Sequence, residues 1–269
     1  MKLEGRTVGA SSKTATDSEE QRYRAPALEK GLDILELISK ANEPMSIGMI
    51  TQALDRSTGE LFRMIQVLEY RGFIEQVGNG YLPTARLFAL GMQQAPVKSI
   101  LEVALPVMRE LAEDAEQSCH LALRADGDIV VAARMESASL IGFSVRIGYR
   151  QPLILTGSGT VLYAFQTPAT RLRWEEAFEP RPSADKLAAF RARADRAQAN
   201  GYDEHSSDIV PGIVDLAAPV LRGEIAAAAL TMPFVRKVPL KVEQGHALQL
   251  VREAARRISA ELASSDVRV

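Results

Sequence analysis

Two stretches of this chain carry residues arranged for chemistry. In the first, Arg56, Ser57 and Thr58 open an amphipathic run. The unpaired amides and dipole of a helix start favour phosphate there. Arg63 and Gln66 follow on the polar side, one turn apart. An arginine can fork to guanine and a glutamine to adenine; the alternative is that this side is only a solvated helix face. In the second stretch, Gly157-Ser158-Gly159 precedes a helix, and its amides and hydroxyl suit a carboxylate or other anionic oxygen. That loop is too short for a dinucleotide fingerprint or a P-loop. Ser158, His205 and Asp215 supply the residue types of a hydrolase triad. A nucleophile elbow, however, needs Gly-x-Ser-x-Gly, and Thr156 and Thr160 stand in those positions. A binding protein is expected rather than an enzyme.

The elements that must hold these groups show in the hydrophobic period. From Pro26, Leu28, Leu32, Leu35 and Ile38 form one helical stripe. Asn42-Glu43-Pro44 breaks it, and Ser46 is placed to cap a short second helix with Ile47, Ile50 and Leu54 inward. A third helix buries Leu61, Met64, Ile65 and Leu68, and Gly72 closes it. Residues 73–82 then form a hairpin around Gly78-Asn79-Gly80. Three short helices and a hairpin are the plan of a winged helix-turn-helix. Residues 1–24 read as a disordered arm, 25–85 as the winged helix-turn-helix domain, 86–98 as a linker helix and 99–265 as a second domain.

In that last domain a helix over 97–113 turns Ile100, Leu101, Leu105, Met108, Leu111 and Ala112 inward, with Pro106 expected to kink or restart it. Strands are expected over 119–124 and 129–134, joined through Asp126-Gly127, and over 141–147, 214–221 and 224–232. Helices are expected from Gly157 through Phe165, over 183–200 and over 243–262. The fold class is α+β, the second domain being an α/β module with a mostly antiparallel sheet. Phe143, Tyr149, Tyr163, Phe165 and Trp174 are expected to pack cores or interfaces.

The chain has 269 residues, enough for two domains. Lys+Arg number 32 against Asp+Glu 34, which excludes a polycation that coats nucleic acid. Residues 24–87 hold seven basic and eight acidic side chains, so DNA binding there must come from local placement. One cysteine, Cys119, allows neither a disulfide framework nor a thiolate zinc cluster. The longest apolar runs fall short of the roughly 18 residues that span a bilayer, and the N-terminus has no apolar signal core. A cytoplasmic protein is expected.

The run Ala27-Leu28-Glu29-Lys30-Gly31-Leu32-Asp33-Ile34-Leu35-Glu36-Leu37, followed by Leu61-Phe62-Arg63-Met64-Ile65-Gln66-Val67-Leu68-Glu69-Tyr70-Arg71-Gly72-Phe73-Ile74, resembles the isocitrate-lyase-regulator (IclR) family of bacterial transcription factors. Gly157-Ser158-Gly159, Asn200-Gly201-Tyr202, Pro211-Gly212-Ile213 and Leu216-Ala217-Ala218-Pro219-Val220 fall in that family's order and spacing. The resemblance runs from about residue 26 to 262. It implies a DNA-binding winged-helix domain, a linker helix, an effector-binding domain of GAF-like fold over 99–265, and homodimers or homotetramers on palindromic operators. It also implies that effectors lie against Gly157 and Ser158 and touch the positions held here by His205, Asp215, Ala229 and Thr231.

Three departures from the family pattern matter. Thr58-Gly59-Glu60 replaces a Lys-Ser-Thr run, and Glu60 is expected to repel phosphate. His205 and Asp215 replace an aspartate and a cysteine, and Ala229 replaces a hydroxyl. Together with His120, His205 and Asp215 form a set for a divalent metal. The same residues could instead clamp a hydroxylated or aromatic acid, or form a hydrogen-bonded pair that only satisfies a buried pocket. The function expected is a sequence-specific DNA-binding regulator whose operator binding is modulated by a small organic acid. The alternative is a metal- or metabolite-sensing protein whose winged helix makes protein contacts.

Overall fold

The computed structural model describes residues 25–266 apart from 42, 94, 141 and 240; the expected arm, residues 1–24, lies outside the described residues. The chain divides into two units, one on either side of position 94.

In the first unit, Pro26 opens α1 (Pro26–Lys40). Ser46 Oγ caps α2 (Ile47–Ala53) by accepting the Met49 amide at 3.3 Å. The third helix, α3 (Thr58–Tyr70), ends at Arg71, and Gly72 follows with φ +70°, a conformation natural to glycine. A two-stranded wing, β1 (Ile74–Val77) and β2 (Gly80–Pro83), turns at Gly78 with φ +60°. A short helix, α4 (Arg86–Met92), follows the wing. Ile34, Ile38, Ile50, Leu61, Ile65 and Ile74 fill the core. The stripe on α1 is the expected one only at its C-terminal end, where Ile38 is buried and Leu35 packs against the core. Leu28 is 63% and Leu32 50% exposed, while Ile34 and Ile38 are buried. Two apolar stripes about 100° apart are available on this helix, and packing against α3 selects the isoleucines.

In the second unit, α5 (Ala95–Asp114) runs through Pro106 without a restart, and Leu105 faces outward while Ala104, Val107 and Met108 are buried. The strands β3 (Cys119–Ala125) and β4 (Asp128–Met135) form a hairpin. The short β5 (Arg150–Pro152) leads through a single 3-10 turn at Leu153–Leu155 into α6 (Gly157–Ala164). Two more helices, α7 (Pro168–Glu176) and α8 (Ala184–Asn200), precede β6 (Asp203–Ser206), β7 (Ile213–Arg222), β8 (Ile225–Val235) and α9 (Gln244–Asp266). The six strands form one antiparallel sheet in the order β5-β4-β3-β8-β7-β6. Period-2 alternation sends Leu121, Leu216 and Leu230 toward α5 and α9, and Ala122, Ala217 and Ala229 toward α6 and α8.

The strand expected over 141–147 does not form among the described residues of that stretch; a strand occupies Arg150–Pro152 instead. Residues 142–147 cross over the α6 face of the sheet as an extended loop.

Candidate functional site

In the first unit, α3 buries Leu61 and Ile65 and turns Gly59, Arg63, Gln66 and Tyr70 to the solvent side of its 3.6-residue period. Arg56, Ser57 and Thr58 are exposed at its start, so all five expected DNA-contacting residues are accessible. Phe62, which the sequence reading did not single out, is 41% exposed beside Arg63. Glu60 does not present a free charge to phosphate, contrary to expectation. Its carboxylate accepts the Lys30 ammonium at 3.0 Å, and the Ser57 amide and hydroxyl at 3.1 and 3.0 Å. The Lys30 hydrogen bond, then those from Ser57, hold its pKa down at about 2. The charge is matched within the unit.

In the second unit, a cavity of about 300 Å³ lies between the sheet and the loops that follow β4 and β6. Its polar floor is built by register. His120 on β3 pairs directly with Thr231 on β8, so both side chains rise from one face. Ser158, in the first turn of α6, sits above them with Oγ 2.9 Å from Thr231 Oγ1 and 3.4 Å from His120 Nε2. The Thr156 hydroxyl accepts the Gly159 amide and fixes that turn. Asp215 on β7 also lines the cavity. Ile129, Val131, Phe143 and Val145 supply apolar walls, and Arg146 stands on the rim.

Burial sets the charge states. It pushes the His120 pKa down to about 4, so the ring is neutral at pH 7, and its Nδ1 has no partner among the described residues. Burial raises the Asp215 carboxyl, against the opposing charges of His205 and Arg193. A pH prediction follows from His120. In the unfolded chain an imidazole takes up a proton below pH 6.5, whereas the native ring resists until about 4. Stability is therefore full above pH 6.5 and falls as the pH drops through that window, by about 3 kcal/mol for this residue. Urea unfolding at pH 7, 5.5 and 4.5 should show a steeper loss for the wild type than for His120→Asn. Parallel losses would mean that His120 is not held neutral.

Three expected effector residues stand elsewhere. His205 Nδ1 lies 2.6 Å from Arg193 Nη2 and 3.2 Å from Asp203 Oδ2, in an ionic cluster beside the cavity rather than in its lining, and its Nε2 has no hydrogen-bond partner among the described residues. Ala229 is fully buried in the apolar layer between β3 and β7. Gly157 does not line the cavity; a Cβ there would lie 3.2 Å from the Asp215 Cβ and 3.3 Å from Asp203 Oδ2, so α6 seats closely on β6 and β7. The metal set of His120, His205 and Asp215 is not assembled: His120 and Asp215 line the cavity, and His205 does not. Among the described residues, no three His, Cys, Asp or Glu side chains are placed to share an ion. The residues of the triad do not meet: the imidazole near Ser158 is that of His120, and among the described residues its Nδ1 has no partner.

Phe143, expected to pack a core or interface, lines the cavity instead, and Tyr149 both lines it and packs against the core as expected. The other aromatics do pack: Tyr163 meets Phe190 with tilted rings and donates to Glu175 at 2.6 Å, and Arg124 lies over Trp174.

Comparison with known proteins follows both units. Residues 27–78 match the model of the IclR helix-turn-helix domain, and residues 92–260 match that of the bacterial transcriptional regulator IclR C-terminal domain. The chain is 29% identical to the HTH-type transcriptional repressor AllR of Klebsiella pneumoniae, over 88% of this chain and 90% of that protein. It is 25% identical to the HTH-type transcriptional regulator KdgR of Escherichia coli K12, over 93% and 97%. An IclR homolog from Microbacterium hydrocarbonoxydans, complexed with 4-hydroxybenzoate, shares the fold at TM-score 0.74 and 20% identity, covering 88% of this chain and 99% of that one. HmgR of Pseudomonas aeruginosa does so at TM-score 0.68 and 23% identity, over 88% and 98%.

Proposed function

This chain belongs to the IclR family of bacterial transcriptional regulators, and on that footing we propose how it acts. It is a DNA-binding regulator whose operator binding responds to an effector. Residues 25–85 bind operator DNA in the cytoplasm. Arg56, Ser57 and Thr58 engage phosphates and so fix the register of α3, while Arg63 and Gln66 read base edges. Residues 99–265 bind a small organic acid in the cavity walled by Phe143 and Val145 and floored by Ser158, Thr231 and His120. Homodimers, or pairs of them, meet the two halves of a palindromic operator. The effector shifts DNA binding through unequal affinity for two states of the assembly.

One observation carries this reading: a largely apolar cavity that ends in a buried polar cluster, including a histidine nitrogen without a partner. Such a cavity is the usual form of a small-molecule site. The organic-acid class finds support in the 4-hydroxybenzoate held by the Microbacterium protein.

The test begins with a duplex selected from a random library by the full-length chain. Arg63→Ala should bind it roughly 10- to 100-fold more weakly at physiological salt and lose preference at one base position. Unchanged gel-shift affinity and unchanged preference would remove α3 from the interface.

A further inference from the structure

The position of Asp215 changes what the cavity can accept. Gly157 and Ser158 open α6, and the amides of a first turn have no acceptor within their own helix. That would ordinarily be the place for an effector carboxylate. Here a Cβ at Gly157 would lie 3.2 Å from the Asp215 Cβ and 3.3 Å from Asp203 Oδ2, so β6 and β7 bring the Asp203 carboxylate and the root of the Asp215 side chain against this helix end. The protein supplies its own anion to the α6 start.

The charges around Asp215 reinforce the point. Asp203 lies beside it on β6, where Arg193 and His205 are already engaged. His120, at the floor, is neutral and unpaired at Nδ1. A second carboxylate at this end would meet the like charges of Asp215 and Asp203, which already share Arg193 and His205. A hydroxyl or ammonium would find an acceptor. The cationic side chain that lines the cavity is Arg146, exposed on the loop after β4 and without an ion-pair partner among the described residues. Arg146 is at the rim and Asp215 on the sheet, so the two polarities lie at different depths. The volume of about 300 Å³ stands at the small end of ligand sites and fits one ring between the apolar walls.

We propose that the effector is a single-ring organic acid carrying a second, hydrogen-donating group, bound with its hydroxyl or ammonium inward on Asp215 and its carboxylate outward on Arg146. This rests on the reading of the cavity as the effector site. It adds the polarity of binding and the requirement for a donor.

Three rings that differ in one substituent test it: 4-(hydroxymethyl)benzoate, benzoate and terephthalate, titrated calorimetrically into the full-length protein at pH 8. The hydroxymethyl compound should bind about tenfold more tightly than benzoate, the worth of one hydrogen bond to a charged acceptor. Terephthalate, with an anion at both ends, should bind most weakly. Asp215→Asn, which keeps the side-chain shape, should erase or reverse the preference over terephthalate. Arg146→Ala should weaken the hydroxymethyl compound about tenfold yet leave its uncharged analogue, 4-methylbenzyl alcohol, unaffected. If affinities respond to both substitutions but terephthalate or benzoate binds best, the polarity is overturned and the cavity assignment stands. If all three bind and neither substitution matters, the cavity is not the site and both readings fall. Binding by none of the three overturns the ligand class.

Discussion

Asp203→Ala is expected to destabilise the folded chain by about 3–5 kcal/mol, the usual result of removing one member of a buried ion pair. Asp203 is almost fully buried, and its Oδ2 receives Arg193 Nη2 at 2.6 Å while Oδ1 receives Nε at 3.0 Å, a fork that leaves little of the guanidinium to water. His205 approaches the same oxygen at 3.2 Å. Without the carboxylate, Arg193 keeps only the imidazole and Asp208, which lies 3.8 Å away and is largely solvated. Burial alone would raise the Asp203 carboxyl, but hydrogen bonds from His205 and Arg193 and the charge of Arg193 overcome it and hold the group below its ordinary value.

The sign of the pH effect follows. A depressed carboxyl contributes stability above its unfolded pKa, near 4, and loses it as the pH falls through the folded value. The gap between wild type and Asp203→Ala should therefore be widest near neutrality and close on acidification through the carboxylate range. Urea unfolding at fixed protein concentration measures it. Arg193→Met combined with Asp203→Ala should cost less than Asp203→Ala alone, since no orphaned charge remains. A loss below about 1 kcal/mol for Asp203→Ala would show the cluster to be solvated rather than buried.

That cluster also marks where reading the sequence ran out. His205 was assigned to the effector because it occupies a family contact position, but its partner Arg193 comes from the preceding helix, and only the fold joins them. The strand that carries His205 has four residues, too few for an alternating pattern to stand out. The segment 142–147 misled in the opposite way. Its apolar residues alternate like a strand, yet the backbone does not join the sheet there, and Phe143, Ser144, Val145 and Arg146 all line the cavity. Helix α7 buries no residue fully, so it offered no stripe to detect.

Elements with two independent local signals were legible. Ser46 caps α2 as expected, and Gly72 follows the end of α3 in the left-handed conformation. The outward face of α3 could be read because its buried and exposed residues segregate by one period. On α1, two leucine- and isoleucine-rich stripes compete, and only contact with α3 decides between them. In the cavity, Ser158, Thr231 and Asp215 stand at positions to which the family resemblance points, and His120 on the neighbouring strand is legible as a polar residue in a β-prone run. Arg146 is not legible, since a lone arginine in a loop carries no spacing signal.

Gly159→Ala is the second change expected to have a large effect, and it links this packing to the effector. A Cβ at Gly159 would lie 2.7 Å from the Leu153 carbonyl carbon, 2.8 Å from its Cα, and closer still to its oxygen. All three are backbone atoms, so no rotamer change relieves the overlap. Leu153 cannot retreat freely either. Its amide donates to Gly127 at 3.0 Å, and its carbonyl accepts from Thr156. Overpacking usually costs about 1–3 kcal/mol where side chains can yield; against a pinned backbone the loss should be about 3 kcal/mol or more. Any relief must come from α6, every residue of which is buried, and movement there draws Ser158 Oγ away from Thr231. A Gly159→Ala protein that still folds should therefore also bind the hydroxymethyl probe at least tenfold more weakly.

Two other glycines serve as controls. Gly157→Ala meets side-chain atoms at 3.2–3.5 Å and should cost less. Gly59→Ala, in open space on α3, should raise stability by up to about 1 kcal/mol through helix propensity. If Gly159→Ala unfolds in urea at the wild-type midpoint, the corner between Leu153 and α6 can open without loss. The floor of the cavity would then be set by β3 and β8 alone, and Ser158 would be free to follow the ligand rather than wait for it.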